Sequence, residues 1–361
     1  MTSRRGFLLG MAAASLTPRL TWADAGNPAY LGAARDQNGD FALYGLSAEA
    51  QIVFRVGLPA RGHAAAAHPT RPEAVGFARR PGTYALVIDC ANGQVTHKLQ
   101  APSGRHFMGH GVFVQGGDIL VTTENNYAES KGCLGLWQRS KGYVRIGEVD
   151  SHGIGPHDIR ALSDGTLVVA NGGILTHPDH GEGRDKLNLE TMQPSLAYLT
   201  PEFSLQEQHI LAEDLHHASI RHLSVADDQV GFAMQWQGDP FDIVPLLGLH
   251  KRGADPVLFE APLADQLSMK AYASSIAFNG AGTELAITSS RGGRIHRFAT
   301  DGQFMSSVSR ADVSGLAAKG DGYLASDGQG ALLSIEADSR VLNKTSGLAW
   351  DNHLVSLPIL G

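Results

Sequence analysis

The sequence predicts an all-β chain folded as a seven-bladed β-propeller. The 361 residues include 43 Gly and 16 Pro, a content of turn formers that disfavours a helical bundle. A short motif recurs seven times: a polar or small residue, an apolar strand, a tight turn and a second strand. Repeats of about 40–50 residues with four short strands each are typical of β-propellers.

The seven motifs define where each predicted blade begins. Their first residues are separated by 38 to 65 positions and are His63, His110, His157, His222, Ser275, Gly315 and His353. Pairs such as Asp164-Gly165 and Asp321-Gly322 stand where a hairpin must join the first two strands. We number the blades 1 to 7 in this order.

The seventh blade is predicted to be closed by both ends of the chain. Only eight residues follow His353, enough for a single strand. Residues 30–56 carry three strand-like runs and supply the missing strands, which removes an open sheet edge. We therefore expect one domain over residues 26–361, with an insertion loop at about 174–194 in blade 3.

The first 25 residues are predicted to be an export signal. Arg4-Arg5 precedes a short apolar run, and Ala23-Asp24-Ala25 provides a small-x-small cleavage pattern. The pair of arginines indicates a twin-arginine signal and a periplasmic protein, with a signal anchor as the weaker alternative. The run is too short to span a bilayer, so we expect no membrane span in the mature chain.

Composition narrows the possible partners. The formal net charge is −7, which disfavours binding to the phosphate backbone of nucleic acids. The two cysteines, Cys90 and Cys133, fall in different blades and are predicted to be free thiols. We expect a monomer.

Five of the seven blade starts are histidines, and their blades are contiguous around the ring. Because the innermost strands of a propeller line its central channel, these residues are predicted to crowd one rim of that channel. Imidazole is a good ligand for iron, copper, zinc and nickel. A single ion needs three or four of the five, and the consecutive His63, His110 and His157 are the preferred set, flanked by His222 and His353.

Two further ligands are predicted. The second strand of a blade returns to the same rim, which brings Glu124 of blade 2 there as a hard oxygen ligand and favours iron over copper or zinc. The insertion loop leaves from that rim and carries His177. Since only neutral imidazole is a ligand, affinity for the metal should decline below the reference His pKa of ~6.5.

A structural role for the rim histidines is the alternative. In propellers of the WD type, a histidine at this connection forms hydrogen bonds within its own blade, to an aspartate and a tryptophan. That network requires a partner pair in every blade, yet only Trp137 lies in a suitable third strand.

Thr176-His-Pro-Asp179 and Trp350-Asp-Asn-His353 are the most specific of ten short segments that are spread over nearly the whole mature chain. The others are Gly109–Gly111, Thr122–Asn125, Gly153–His157, Ala170–Ile174, Lys186–Met192, Pro194–Leu196, Ser219–His222 and Arg291–Gly293. Together these segments resemble a family of twin-arginine-exported propellers of unknown function. Members are often encoded beside imelysin-like, iron-regulated periplasmic proteins, and the resemblance implies a role in iron uptake or handling.

Three functions remain open from the sequence. The first is a periplasmic metal-binding protein, most naturally for iron, whose partners are a metal ion or chelate and a periplasmic iron-uptake protein. The second is a metal-dependent enzyme, either an oxidoreductase or a lactonase-like hydrolase. The third is a protein-interaction platform with structural histidines.

Overall fold

The computed structural model describes residues 20–79, 82–336 and 338–357 and contains seven four-stranded antiparallel sheets. The predicted seven-bladed propeller is confirmed, and each motif start lies in the innermost strand of its blade. The strands of blades 1 to 3 are β4 (Gly62–Ala67), β5 (Glu73–Ala78), β6 (Tyr84–Asp89), β7 (Gln94–Gln100), β8 (Arg105–Val114), β9 (Ile119–Asn126), β10 (Lys131–Gln138), β11 (Val144–Asp150), β12 (Pro156–Ala161), β13 (Leu167–Asn171), β14 (Ser195–Leu199) and β15 (Leu205–Ile210).

Blades 4 to 6 follow the same order from the channel outwards. Their strands are β16 (Ala218–Ala226), β17 (Gln229–Trp236), β18 (Leu247–Lys251), β19 (Val257–Phe259), β20 (Ser275–Phe278), β21 (Glu284–Ser289), β22 (Arg294–Ala299), β23 (Phe304–Ser309), β24 (Val313–Lys319), β25 (Gly322–Asp327), β26 (Ala331–Ile335) and β27 (Ser339–Lys344). Blade 5 is preceded by a helix, α1 (Leu263–Ser268).

Blade 7 joins the two ends of the chain. Its innermost strand is β28 (Ala349–Ser356), which pairs with β1 (Tyr30–Arg35), followed by β2 (Phe41–Leu46) and β3 (Ile52–Leu58). The predicted closure therefore agrees with the pairing of this sheet.

Seven apolar clusters hold the ring together, one between each pair of neighbouring blades. Phe77 of blade 1 packs against Phe107 and Trp137 of blade 2 in one of them, and Tyr198 of blade 3 packs with Phe232 of blade 4 in another. Both faces of each sheet are thus covered, which is why the middle strands are nearly continuous apolar runs.

Short 3₁₀ helices occupy several connections. They are Trp22–Ala25, Gln115–Gly117, Arg139–Lys141, Gly181–Gly183, Leu189–Thr191 and Glu213–Leu215. Trp22 is buried with blades 7 and 1, and its indole N–H donates to the carbonyl of His68 over 2.9 Å. Arg4-Arg5 lies outside the described residues, and the signal peptide over residues 1–25 stays a prediction.

Other expectations concern the loop and the cysteines. The blade 3 insertion joins β13 to β14, and Asn125 of blade 2 anchors it by donating to the carbonyl of Thr176 over 2.9 Å. Cys90 and Cys133 are buried free thiols. Within the described ranges, no helix combines the length and apolar character that crossing a membrane requires.

Candidate metal centre

The rim histidines point into the channel because the innermost strands bulge where they stand. The pairing register shifts across His63 in β4, His110 in β8, His157 in β12 and His353 in β28. In β16 the shift falls at Arg221, beside His222. A bulge bends its strand and re-aims a side chain, and here five strands aim imidazoles at one point.

The five imidazoles form one cluster, which we call the His cluster: His63, His110, His157, His222 and His353. Four of them make a closed square in the order His63, His157, His222, His353, with ring centroids 4.6–5.3 Å apart along its sides. His110 contacts all four at 4.9–5.8 Å. Each residue is at most 8% exposed.

His110 is oriented by a carboxylate of the next blade. Its Nδ1 lies 3.1 Å from Oδ1 of Asp158, which is 1% exposed. The Asp158 carboxylate also accepts from the backbone N–H groups of Ile159 and Leu223. Burial alone would raise the pKa of Asp158, but Arg160 and His110 outweigh it and hold that pKa far below its ordinary value.

Asp158 was not singled out from the sequence. The signal available was its position directly after the rim residue His157, on the bulge that turns both side chains. A carboxylate that fixes the second nitrogen of a histidine is the usual outer support of a metal-ligating imidazole. It leaves Nε2 of His110 pointing at the other histidines.

Most ring nitrogens of the cluster have no hydrogen-bonding partner among the described residues. Six such atoms are buried: both nitrogens of His63, Nε2 of His110, Nδ1 of His157, Nδ1 of His222 and Nε2 of His353. Leaving a buried polar atom unpaired costs about 1–3 kcal/mol. A metal ion is one partner that accepts several such lone pairs at once.

Burial keeps four of the five imidazoles neutral. It lowers the pKa of His63, His157, His222 and His353 well below 6.5, and the neighbouring histidines add to the effect in His63, His222 and His353. Arg221 is the next cause for His157. Since the neutral form is the ligand, the loss of affinity expected below ~6.5 moves to more acidic pH.

Two sets of three histidines have ligand atoms within 4.8 Å of one another. One is His63, His110 and His353, and the other is His110, His157 and His222. The preferred triplet of His63, His110 and His157 is not one of them. His110 belongs to both sets with only Nε2 unpaired, so it can serve one ion at a time and the cluster fits a single ion.

Glu124 is placed outside both sets. Its Oε1 accepts from Thr122 and from Arg145, each over 2.7 Å, and it is fully buried with those partners in blade 2. Arg145 stands on the outermost strand, β11, and its pairing with Glu124 could not be inferred from the spacing of the two residues in the sequence. The contacts of Glu124 Oε1 thus lie within blade 2, and its Oε2 has no partner among the described residues.

His177 lies in the insertion loop, not in the cluster. Its ring packs against Tyr127 with centroids 5.2 Å apart, and its Nδ1 stands 3.6 Å from Asp179. These contacts belong to the packing of the loop on blade 2. Ligation by His177 and Glu124 stays a prediction.

The hydrogen bonds differ from those of a structural rim histidine. Trp137 donates to Thr122 over 3.0 Å and to no histidine. Among residues 20–79, 82–336 and 338–357, His110 alone of the five has a side-chain hydrogen-bonding partner, and that partner belongs to the next blade. The pattern expected within each blade is not present there.

A cavity of about 230 Å³ lies over the cluster. His63, His157 and His222 border it from below, with Met108 and Ile174 beside them. A small cavity of about 20 Å³ on the other side of the cluster is bordered by His110, His222 and His353. The histidines therefore close the channel between these two cavities, and the larger cavity lies on the side of His63 and His157.

A seven-bladed propeller with a buried imidazole cluster across its channel is the class that fold and site define. Within that class, the chain belongs to the family described as "Protein of unknown function (DUF1513)", whose profile matches residues 56–357. No curated protein matches the chain.

Solved structures share the fold. Hydrazine synthase of Kuenenia stuttgartiensis superposes with a TM-score of 0.58 at 11% identity, covering 89% of this chain and 96% of that one. BamB from Moraxella catarrhalis has a TM-score of 0.54 at 10% identity, covering 89% and 91%. At such identities the likeness concerns the fold alone.

Proposed function

We propose that this protein binds one transition-metal ion at the His cluster and serves in the periplasmic uptake or handling of iron. The observation that carries the proposal is the set of six buried, unpaired ring nitrogens, contributed by five separate blades. Nothing in the stability of a propeller requires such atoms, which each carry a cost that a metal removes.

The triplets define how an ion is held. Tetrahedral ligands at about 2.1 Å from a metal stand about 3.4 Å apart, and the ligand atoms of each triplet already lie within 4.8 Å of one another. Asp158 holds His110 in the tautomer that presents Nε2, so His110 is the common ligand of either triplet. His63, His157 and His222 leave the ion accessible from the cavity above.

The sequence supports the assignments of iron as the metal and of the periplasm as the location. Arg4-Arg5 before an apolar run supports export, and the resemblance to proteins encoded beside iron-regulated genes supports iron. Imidazole ligands by themselves suit iron, copper, zinc and nickel alike. Glu124 pairs with Arg145 through Oε1, while its Oε2 is buried without a partner among the described residues, so ligation through Oε2 stays part of the proposal.

X-ray absorption of the protein purified from the periplasm tests the proposal. The expected spectrum is an iron edge with nitrogen or oxygen scatterers at about 2.1 Å and the multiple scattering of imidazole. A copper or zinc edge with the same imidazole signature would support the metal site but overturn the assignment of iron. A protein that takes up none of these metals on dialysis would overturn the metal site.

A further inference from the structure

The cavity over the His cluster has an unusual lining. Ligand cavities are mostly apolar, but here Met108 and Ile174 are the aliphatic residues of a wall that is otherwise polar or charged. At about 230 Å³ it is also smaller than the ~300–1,000 Å³ of sites for drug-sized ligands. Its occupant is therefore small and polar.

Five cations converge on this cavity, and we call them the basic mouth: Arg79, Arg184, Lys186, Arg221 and Arg291. They come from blades 1, 4 and 5 and from the insertion loop. No Asp or Glu is among the described residues that line the cavity. In a chain of net charge −7, this is a local concentration of positive charge.

The cations of the basic mouth crowd one another. Burial lowers the pKa of Lys186, and Arg291 and Arg221 lower it further. Burial lowers the pKa of Arg79, as do Arg61 outside the cavity and Arg184 within the basic mouth, while Asp351 acts in the opposite direction. Arg291 lies over the ring of Tyr272, 4.1 Å from its centroid, which holds the guanidinium at the wall of the cavity. An anion in the cavity would relieve this repulsion.

A metal ion in the His cluster makes the need for an anion greater. Neutral imidazoles contribute no negative charge, so a divalent or trivalent ion there keeps its full charge. The nearest buried carboxylate, Asp158, already pairs with Arg160. An anion between this metal ion and the Arg and Lys side chains above it would lower their mutual repulsion.

We propose that the basic mouth binds a compact polyanion with several carboxylate or phosphate oxygens, which ligates the metal on the His cluster and binds together with it. The cations hold the outer oxygens, and Gln235, Gln237 and Asn352 border the same cavity as hydrogen-bonding groups. The polyanion also offers oxygen ligands to the metal. The coupling between anion and metal rests on the proposed function, whereas the anion site does not.

The anion site is tested on metal-free protein by calorimetric titration with citrate, pyrophosphate and acetate at constant ionic strength. Citrate or pyrophosphate should bind at least about tenfold more tightly than acetate, and the stronger of the two identifies the class of oxygens. Arg291→Gln and Lys186→Gln should each weaken that binding about tenfold. The matched control Lys344→Gln, on the exposed outermost strand of blade 6, should leave it unchanged.

The coupling is tested by repeating the titration with protein loaded with one equivalent of Zn²⁺. The anion should bind at least about tenfold more tightly than to metal-free protein, and by linkage it should tighten zinc binding by the same factor. His110→Ala should lose zinc and keep the metal-free anion affinity, so the two proposals fail separately. The inference is overturned if citrate and pyrophosphate bind metal-free protein as weakly as acetate does, or if citrate removes the zinc from the loaded protein.

Discussion

The two mouths of the channel are built from the same strands and differ in nearly every property. At the basic mouth the innermost strands begin, bulge and carry the histidines, and a loop of blade 3 covers them. At the opposite mouth, which we call the turn mouth, the same strands end in hairpin turns. These turns surround a cavity of about 430 Å³ that is bordered by runs such as Leu223–Ala226 and Leu316–Ala318. Among the described residues that border it, the charged ones are Arg160 and Asp227.

This difference shows that a propeller can place the turns that determine its strand pairing at one mouth of the channel and its functional residues at the other. The turn mouth holds short connections that fix strand pairing, whereas the basic mouth holds the connections that tolerate bulges and insertions. Blade 5 differs from the blades that carry histidines in both respects. Its innermost strand pairs without a register shift, and the small Ser275 stands at its rim in place of a histidine. Changes at the two mouths should therefore have different consequences.

The largest effect is expected from opening the ring, on which both mouths depend. Removing residues 353–361 deletes the half of β28 that pairs Leu354, Val355 and Ser356 with β1. The loss exposes the apolar cluster between blades 6 and 7 and leaves β1 as an open edge. The shortened protein should lose its cooperative thermal transition by circular dichroism. An unchanged melting temperature would disprove closure.

The next effect contrasts glycines of the two mouths. Gly109 has φ +102°, and a Cβ there would stand 2.4 Å from Cδ2 of His63. Gly116, in the turn between β8 and β9, has φ +65° and open space around it. Gly116→Ala should cost about 1–2 kcal/mol of unfolding free energy, whereas Gly109→Ala should cost more and also weaken metal binding by displacing His63. Equal losses in urea denaturation would contradict this account.

A third prediction compares an acid that contacts the His cluster with an acid at the opposite mouth of the channel. Asp158→Asn removes the charge that orients His110, and metal affinity should fall about 10–100-fold by competition with a chromophoric chelator. Asp227→Asn, at the turn mouth, should leave affinity unchanged. If both variants bind metal like the parent, Asp158 does not support a ligand.

The last prediction concerns the pH dependence of stability without metal. The unfolded histidines titrate near 6.5, but burial keeps the pKa of His63, His157, His222 and His353 lower in the folded chain. Below pH 6.5 the unfolded state therefore binds more protons, and the free energy of unfolding should decrease as pH falls from 7.5 to 5.5.

Two variants attribute this slope to the cluster. His157→Ala should reduce the pH dependence of the urea midpoint, while His216→Ala, outside the cluster, should keep it. A slope that is the same in all three proteins would show that the rim histidines do not titrate as described.

The periodic features of the sequence were sufficient for the blades and the rim histidines. A polar residue before each apolar strand marked the innermost strands, and eight residues after His353 required closure by the N-terminal strands. Both inferences use patterns that recur in several blades, so a misreading of one blade does not change the assignment of the fold.

Contacts between blades could not be read in the same way. Asp158 reaches His110 from the next blade, and Arg145 reaches Glu124 from the outermost strand, because bulges and sheet twist bring together residues of unrelated spacing. The sequence shows Arg79, Lys186 and Arg291 as separate basic residues. That they line the same cavity depends on how the insertion loop folds over this mouth of the channel.

The metal content of three purified proteins tests the central claim most directly. After dialysis against a ferrous buffer under anaerobic conditions, the parent protein and His216→Ala should retain about one ion per chain, and His110→Ala should retain almost none with a folded circular dichroism spectrum. Equal metal content in the parent and in His110→Ala, or none in the parent, would contradict the assignment of the His cluster as a metal centre.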